Sequence, residues 1–307
     1  MKKKLLFIYN PHAGKSKIKN WLSSIIELFV KSNYEVVIYS TACKKDANKI
    51  VIDCLSRDQY DLVVCSGGDG TLNEVISGVM QTGNHTKIGY IPSGTTNDFA
   101  YNLNLPKNMP KAATVALNGE EFPCDVGAIN GEYFTYTAAF GLFTETSYET
   151  PQTTKNILGR LAYVLEGVKR LPNWKSYHME ITIGDRMIND HFIYGMVANS
   201  NSVGGFKGLA GKDVLLDDGL FEGLFIKKPQ NVLDLQGIIN DLLKGNLNSD
   251  HIISFPVKEL HLKSEESVPW CIDGEFGGEY QETTIVNIKQ AVTIIRNSEE
   301  SKLLIKV

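Results

Sequence analysis

Two glycine-rich loops, each directly behind a short apolar run, restrict this chain to few folds. The first is Ser66-Gly67-Gly68-Asp69-Gly70-Thr71-Leu72-Asn73-Glu74, behind residues 61–65. The second is Pro92-Ser93-Gly94-Thr95-Thr96-Asn97-Asp98, behind residues 87–91. Short apolar runs without polar alternation read as parallel strands buried on both faces. Glycines at the carboxyl end of such strands expose backbone N–H groups, and a helix starting there adds its positive end. Anionic phosphate is the natural guest. The carboxylates of Asp69 and Asp98 among those donors add a need for a divalent cation or a proton acceptor. The pattern therefore points to phosphoryl transfer rather than passive binding.

The same alternation runs through the first part of the chain. Strands are expected over 5–9, 34–39, 62–65 and 88–91, and helices over 18–30, 45–55, 72–80 and 110–117. In the first of these helices Ile18, Trp21, Leu22, Ile25, Ile26 and Phe29 recur at helical spacing. Strand, loop and helix repeated in this way give an α/β fold with a parallel sheet covered on both faces, a three-layer domain over residues 1–125. Ligands of such sheets collect beyond the carboxyl ends of the strands, where both glycine loops fall.

After about residue 125 the rhythm changes. Segments 133–138, 178–183, 192–199, 220–226, 259–263 and 284–288 are short, rich in β-branched or aromatic residues, and separated by Gly, Asn and Asp turns. Helical stretches over 158–171 and 232–243 interrupt them. Residues 126–307 are thus expected to form a mostly antiparallel β-sandwich or distorted barrel, whose last strand can return to the first domain.

Composition narrows the class. The chain has 307 residues and a formal net charge of −4, so no strong positive field favours nucleic acid. Its five cysteines are scattered without a CxxC pair, which suits reduced thiols in cytoplasm rather than a disulfide framework. The opening, Met1 to Tyr9, imitates a signal peptide, but the apolar run stops at Asn10-Pro11 without a small-residue cleavage site and reads as a first strand. No window approaches the roughly 18 apolar residues that cross a bilayer.

Several other groups invite chemistry, each with a plainer alternative. Asn10, at the end of the first strand, either bonds a nucleotide or fastens its turn, and Lys15 either faces phosphate or solvent. Thr41 either lines a nucleotide pocket or caps a helix. Thr71 is placed to cap the helix behind the first loop. The acidic loop Leu215-Leu216-Asp217-Asp218-Gly219-Leu220 offers oxygen ligands of the kind Mg²⁺ prefers, or is a charged turn. In Asp273-Gly274-Glu275-Phe276-Gly277-Gly278, either acid is a candidate to abstract a hydroxyl proton. The glycine-rich stretch 199–208 is either part of an acceptor cleft or a surface loop. The six histidines show no zinc spacing.

Taken together, Asn10-Pro11-His12-Ala13-Gly14-Lys15, the two glycine loops, Leu216-Asp217-Asp218-Gly219 and Asp273-Gly274-Glu275 resemble the bacterial soluble diacylglycerol kinases. That lipid-kinase family shares its catalytic domain with sphingosine and ceramide kinases. The first loop alone also resembles NAD kinases. The resemblance implies an α/β nucleotide domain, a β-rich second domain, and ATP and lipid in the cleft between them. It implies ATP contacts from Asn10, Pro11, His12, Ala13, Gly14, Thr41, Ser66, Gly67, Gly68, Asp69, Gly70, Thr71, Leu72 and Thr95. Glu275 resembles the family's proton acceptor, with Asp69 and Asp273 completing an acidic network around catalytic Mg²⁺. Asp218, with the carbonyls of Leu215 and Leu220, resembles a structural Mg²⁺ site. The implied reaction moves the γ-phosphoryl group of ATP to a diacylglycerol hydroxyl, at the inner membrane face and without a transmembrane segment. The family includes homodimers. Another hydroxy-lipid or NAD as acceptor, or an inactive nucleotide- or lipid-sensing module, are the rival expectations.

Overall fold

In the computed structural model, residues 2–95, 97–142, 175–199 and 215–297 are described, together with the backbone of 202–203 and 206–207. The expected helix over 158–171 and most of the 199–208 stretch lie outside these residues, as do Thr96 and the Asp98 side chain. The chain separates into two units, Met1–Cys124 with the segment from Gln290 onward, and Asp125–Lys289.

The first unit is a parallel sheet with helices. Its strands are β1 (Lys3–Tyr9), β2 (Tyr34–Ser40), β3 (Leu62–Gly67) and β4 (Lys87–Pro92), and its helices α1 (Leu22–Lys31), α2 (Asp46–Arg57), α3 (Asp69–Thr82), α4 (Asp98–Asn102) and α5 (Met109–Asn118). In space the order is β4-β3-β1-β2, all parallel, with Phe7 opposite Val64 and Ile38, and Cys65 opposite Tyr90. Every residue of β3 is buried, which is why its sequence shows no polar alternation. Leu5, Phe7, Leu62 and Val64 face one layer, packed with Ile25 and Phe29 of α1 and Ala112, Ala113 and Ala116 of α5. Leu6, Ile8, Val63 and Cys65 point the other way by strand alternation and are fully covered, as the second helix pair, α2 with α3, requires.

The expected helix over 18–30 forms in two pieces. Residues Lys17–Asn20 make a 3-10 turn and α1 begins only at Leu22. The Trp21 amide bonds Ile18 O at 3.0 Å, an i to i+3 closure that ends the first piece. Trp21, expected on the apolar face, is 41% exposed.

The last described strand, β15 (Glu275–Arg296), supplies a second neighbour for β4, with Ile294 opposite Ile88 in parallel. Arg296 pairs with Glu120 through two hydrogen bonds of 3.0 and 3.2 Å, and the Asn297 amide reaches Leu103 O at 3.1 Å.

The second unit is antiparallel. After β5 (Glu120–Ile129), which enters from the first unit, come β6 (Glu132–Phe134), β7 (Thr137–Gly141), β8 (Tyr177–Ile183), β9 (Arg186–Ala198), β10 (Ser202–Val203), β11 (Phe206–Lys207), β12 (Phe221–Lys227), β13 (Ile252–Val257) and β14 (Glu259–Ile272). Strand β9 pairs β8 along one half and β7 along the other; β14 does the same. The two long strands thereby belong to both layers of a β-sandwich. Its core is aromatic: Trp270 lies 5.0 Å from Phe140, centroid to centroid, and Phe225 stacks on Phe255 at 5.4 Å. Helix α6 (Val232–Lys244) buries Leu235, Ile238, Ile239 and Leu242 against Tyr194, Leu224 and Ile226. Its start is fixed by the Asn231 side chain, which accepts from the Leu233 and Asp234 amides at 2.9 and 3.0 Å.

Among the described residues no helix is long and apolar enough to cross a membrane.

Candidate active site

Both glycine loops leave adjacent parallel strands, β3 and β4, at their carboxyl ends, and they are tied to each other. The Ser93 and Gly94 amides donate to Gly67 O at 2.8 and 3.2 Å. The Tyr90 hydroxyl sits 3.2 Å from both Gly67 O and Asn97 Oδ1. Asn97, held at φ +55°, accepts from the Gly94 amide at 2.9 Å and returns its own Nδ2 to Gly94 O at 2.8 Å. The Phe99 amide donates to Asp69 Oδ1 at 3.3 Å, so this carboxylate bridges the two loops. The approach is close enough to need glycine. A Cβ on Gly94 would fall 2.6 Å from Gly68 Cα.

The turn after β1 joins the same rim. The Asn10 amide donates to Ser66 O at 2.8 Å, its Nδ2 reaches Thr71 Oγ1 at 3.4 Å, and its Oδ1 accepts the His12 amide at 2.9 Å. Asn10 therefore fastens its turn, and Ala13 is buried beneath it while Pro11, His12 and Gly14 remain at least partly open. A Cβ on Gly14 would lie 2.5 Å from Ser93 O, so this turn also abuts the second loop. Ser66 is buried with its hydroxyl 3.3 Å from that of Ser93; Gly68 and Gly70 are half-exposed, Leu72 is buried and Thr95 is exposed. Helix α3 begins at Asp69 with Gly68 as its N-cap and no side-chain cap, so Thr71 belongs to the first turn rather than capping it. The positive end of the helix therefore lies at the loop.

Thr41 is buried, its amide on Tyr9 O at 3.0 Å, and α2 starts only at Asp46, with Lys45 as its N-cap. It is not the helix cap. Glu74, the last residue of the first loop motif, holds this segment instead: its two oxygens accept from the Lys45 and Ala47 amides at 2.7 and 3.1 Å. A carboxylate at a helix N-terminus satisfies orphan donors and opposes the dipole. Glu74→Ala is expected to lower stability by about 1 kcal/mol, the usual cost of a lost N-terminal cap, read as a reduced urea midpoint with unchanged slope.

In the second unit, Asp273 and Glu275 part company. The Asp273 carboxylate accepts four hydrogen bonds, from the Thr135, Tyr136 and Thr137 amides at 2.9 Å each and from Thr135 Oγ1 at 3.0 Å. Burial raises its pKa, and those donors oppose the rise. Glu275, two residues on, is exposed at the start of β15. The β14–β15 turn between them carries positive φ at Asp273 (+49°) and Gly274 (+85°).

The Leu215–Leu220 segment is clamped from beneath by Asp125, which is fully buried. Asp125 Oδ2 accepts the Gly219 amide at 2.7 Å and Asn287 Nδ2 at 3.2 Å, while the Asp125 amide donates to Leu216 O at 2.8 Å. Leu215, Asp218 and Leu220 stay exposed. Asp218 Oδ1 accepts the Leu220 amide at 2.9 Å. Burial first, and the Asp218 charge second, raise the pKa of Glu222 nearby. An exposed carboxylate, neighbouring carbonyls and excess negative charge suit a hard, partly hydrated cation such as Mg²⁺. Among the described residues no three His, Cys, Asp or Glu side chains cluster as a metal cage.

Asn97, Glu74 and Asp125 escaped assignment from sequence. The first two lie inside the loop motifs, which was the available signal; Asp125 gave none, because its partners are remote in the chain.

Comparison with known proteins places this arrangement. Residues 4–129 match the diacylglycerol kinase catalytic domain, and residues 144–296 match the YegS C-terminal NAD kinase beta sandwich-like domain. The diacylglycerol kinase of Bacillus subtilis is 34% identical over 304 residues, covering 98% of this chain and 99% of that protein. The diacylglycerol kinase of Staphylococcus carnosus is 32% identical, covering 97% and 98%. A crystal structure of a diacylglycerol kinase from Bacillus anthracis shares the fold, with TM-score 0.72 at 24% identity over 96% and 97% of the two chains. A second crystal structure from that organism gives 0.78 at 26% identity over the same fractions. The parallel-sheet unit with paired glycine loops and the β-sandwich define an ATP-dependent lipid kinase. The chain belongs to the diacylglycerol kinase family.

Proposed function

We propose that this kinase transfers the γ-phosphoryl group of ATP to the primary hydroxyl of diacylglycerol, giving phosphatidic acid and ADP. The observation that carries the reading is the pair of interlocked glycine loops, with Gly94 against Gly68 and the start of α3 behind them. Backbone amides of Gly68, Asp69 and Gly70 are the donors for the phosphates, with Gly94 packed against Gly68 to hold that loop in place; the buried Thr41 and the Asn10 turn line the nucleoside side. The names of the relatives support diacylglycerol as acceptor.

Glu275 takes the hydroxyl proton as the new P–O bond forms, its carboxylate being exposed at the start of β15 where a lipid headgroup can reach it. Asp273, saturated by Thr135–Thr137 donors, holds the turn that carries Glu275. Asp69 links the loops at the phosphate end. Mg²⁺, when bound, would offset charge on the phosphates, and Asp218 with the Leu215 and Leu220 carbonyls would hold a further, structural ion. The lipid is met at a membrane surface, since the acceptor's acyl chains reside there.

The test is direct. Purified protein with γ-labelled ATP and diacylglycerol in mixed micelles is expected to yield labelled phosphatidic acid and one ADP per product. Label entering another lipid of a total-lipid extract, and none entering diacylglycerol, would reassign the acceptor.

A further inference from the structure

The strand behind Glu275 is irregular. Trp270 of β14 stands opposite Gly278, yet the next residue, Cys271, stands opposite Phe276. Gly277 is therefore an extra residue on β15, a β-bulge immediately beyond Glu275-Phe276. Bulges bend a strand and re-aim the side chains beside them. This one is pinned by a side chain three residues on: the Tyr280 hydroxyl donates to Gly277 O at 2.9 Å. The fit around the ring is tight. Gly278 adopts φ +112°, and a Cβ there would lie 2.5 Å from the Tyr280 hydroxyl oxygen. A Cβ on Gly277 would meet the Ile272 side chain at 2.2 Å. The Tyr280 ring is half-buried against the sandwich core.

Glu275 thus lies between two fixed points. On one side the Asp273 carboxylate is fastened to Thr135, Tyr136 and Thr137; on the other the bulge is fastened to Tyr280. We infer that Tyr280 is a positioning residue for Glu275, its hydroxyl bond to Gly277 fixing the bulge that aims the proton-accepting carboxylate. The inference rests on the assignment of Glu275 as the base. Burial, followed by the Glu132 charge, raises the pKa of Tyr280, so the phenol stays protonated as a donor across the working pH range.

Tyr280→Phe keeps the ring and deletes only the clamp. Misplacing a reacting group by a fraction of an ångström costs rate rather than binding, so turnover with diacylglycerol is expected to fall about tenfold while KM for ATP stays within about twofold. The decisive measurement repeats the substitution in Glu275→Gln. A residue that acts through Glu275 has nothing left to position there, so the second change should cost no further rate. Equal losses in both backgrounds, or none in either, would overturn the inference, as would a loss matched by a proportionate fall in unfolding midpoint. Near-wild-type turnover of Glu275→Gln alone would instead remove the base assignment beneath it, a separate and recognisable failure.

Discussion

Replacing Glu275 with Gln is expected to lower turnover about 10²-fold or more while leaving ATP affinity within about twofold. The carboxamide has the same shape and still accepts a hydrogen bond, but it cannot take the acceptor hydroxyl's proton. Glu275 sits in the second unit, whereas the glycine loops belong to the first, so nucleotide binding has no reason to change. Steady-state kinetics at saturating ATP, with nucleotide affinity from calorimetry, separate the two quantities. Turnover close to that of the unaltered enzyme would withdraw Glu275 from the chemistry.

Gly94→Ala is expected to weaken ATP binding by about tenfold to a hundredfold without unfolding the protein. The added carbon would meet Gly68 Cα at 2.6 Å and Asn97 Oδ1 at 2.7 Å, and the first of these is backbone that cannot rotate away. The loops must separate, and amides that converge on one phosphate group then converge on none. Gly237 serves as the comparison: in α6 an added Cβ would meet only His251 Cδ2, at 4.0 Å. Gly237→Ala should leave ATP affinity alone and raise stability by up to about 1 kcal/mol through helix propensity. Unchanged affinity in Gly94→Ala would show that ATP binds elsewhere.

The elements legible in the sequence were those whose physics is local. The apolar runs of β3 and β4 could be read because both faces of those strands are covered, and α6 because its apolar residues recur on one side. The long strands were read short. Segments 259–263 and 284–288 proved to be pieces of β14 and β15, of 14 and 22 residues. The stretch from Ser264 to Glu266 is polar and largely exposed, so only the backbone ladder joins the first of these segments to the buried Val268–Ile272 end of its strand. Strand β13 carries Pro256, which breaks its strand pattern in the sequence; proline is tolerated there because, among the described residues, β13 ends the sheet order and pairs only with β12. The expected strand over 133–138 divides into β6 and β7 because Thr135 and Tyr136 bond Asp273, a partner 138 and 137 positions away.

The same division holds for the site. Residues of the contiguous motifs, from Asn10 to Gly14 and from Ser66 to Leu72, could be nominated from the glycine loops together with the family resemblance those motifs carry. What locks them could not, since Glu74 acts on amides 29 and 27 positions back and Asp125 on a turn 94 positions ahead. A motif names the groups that chemistry needs; the contacts that hold them rigid are set by topology.

The pairing of Ile294 with Ile88 has a consequence for biosynthesis. On the ribosome, β4 emerges some two hundred residues before the strand that completes its sheet, and the whole sandwich is translated in between. Until then β4 presents a bare hydrogen-bonding edge, the kind of template on which nascent chains join one another. The parallel-sheet unit is thus the earlier begun and the later finished, and its maturation waits on the arrival of β15.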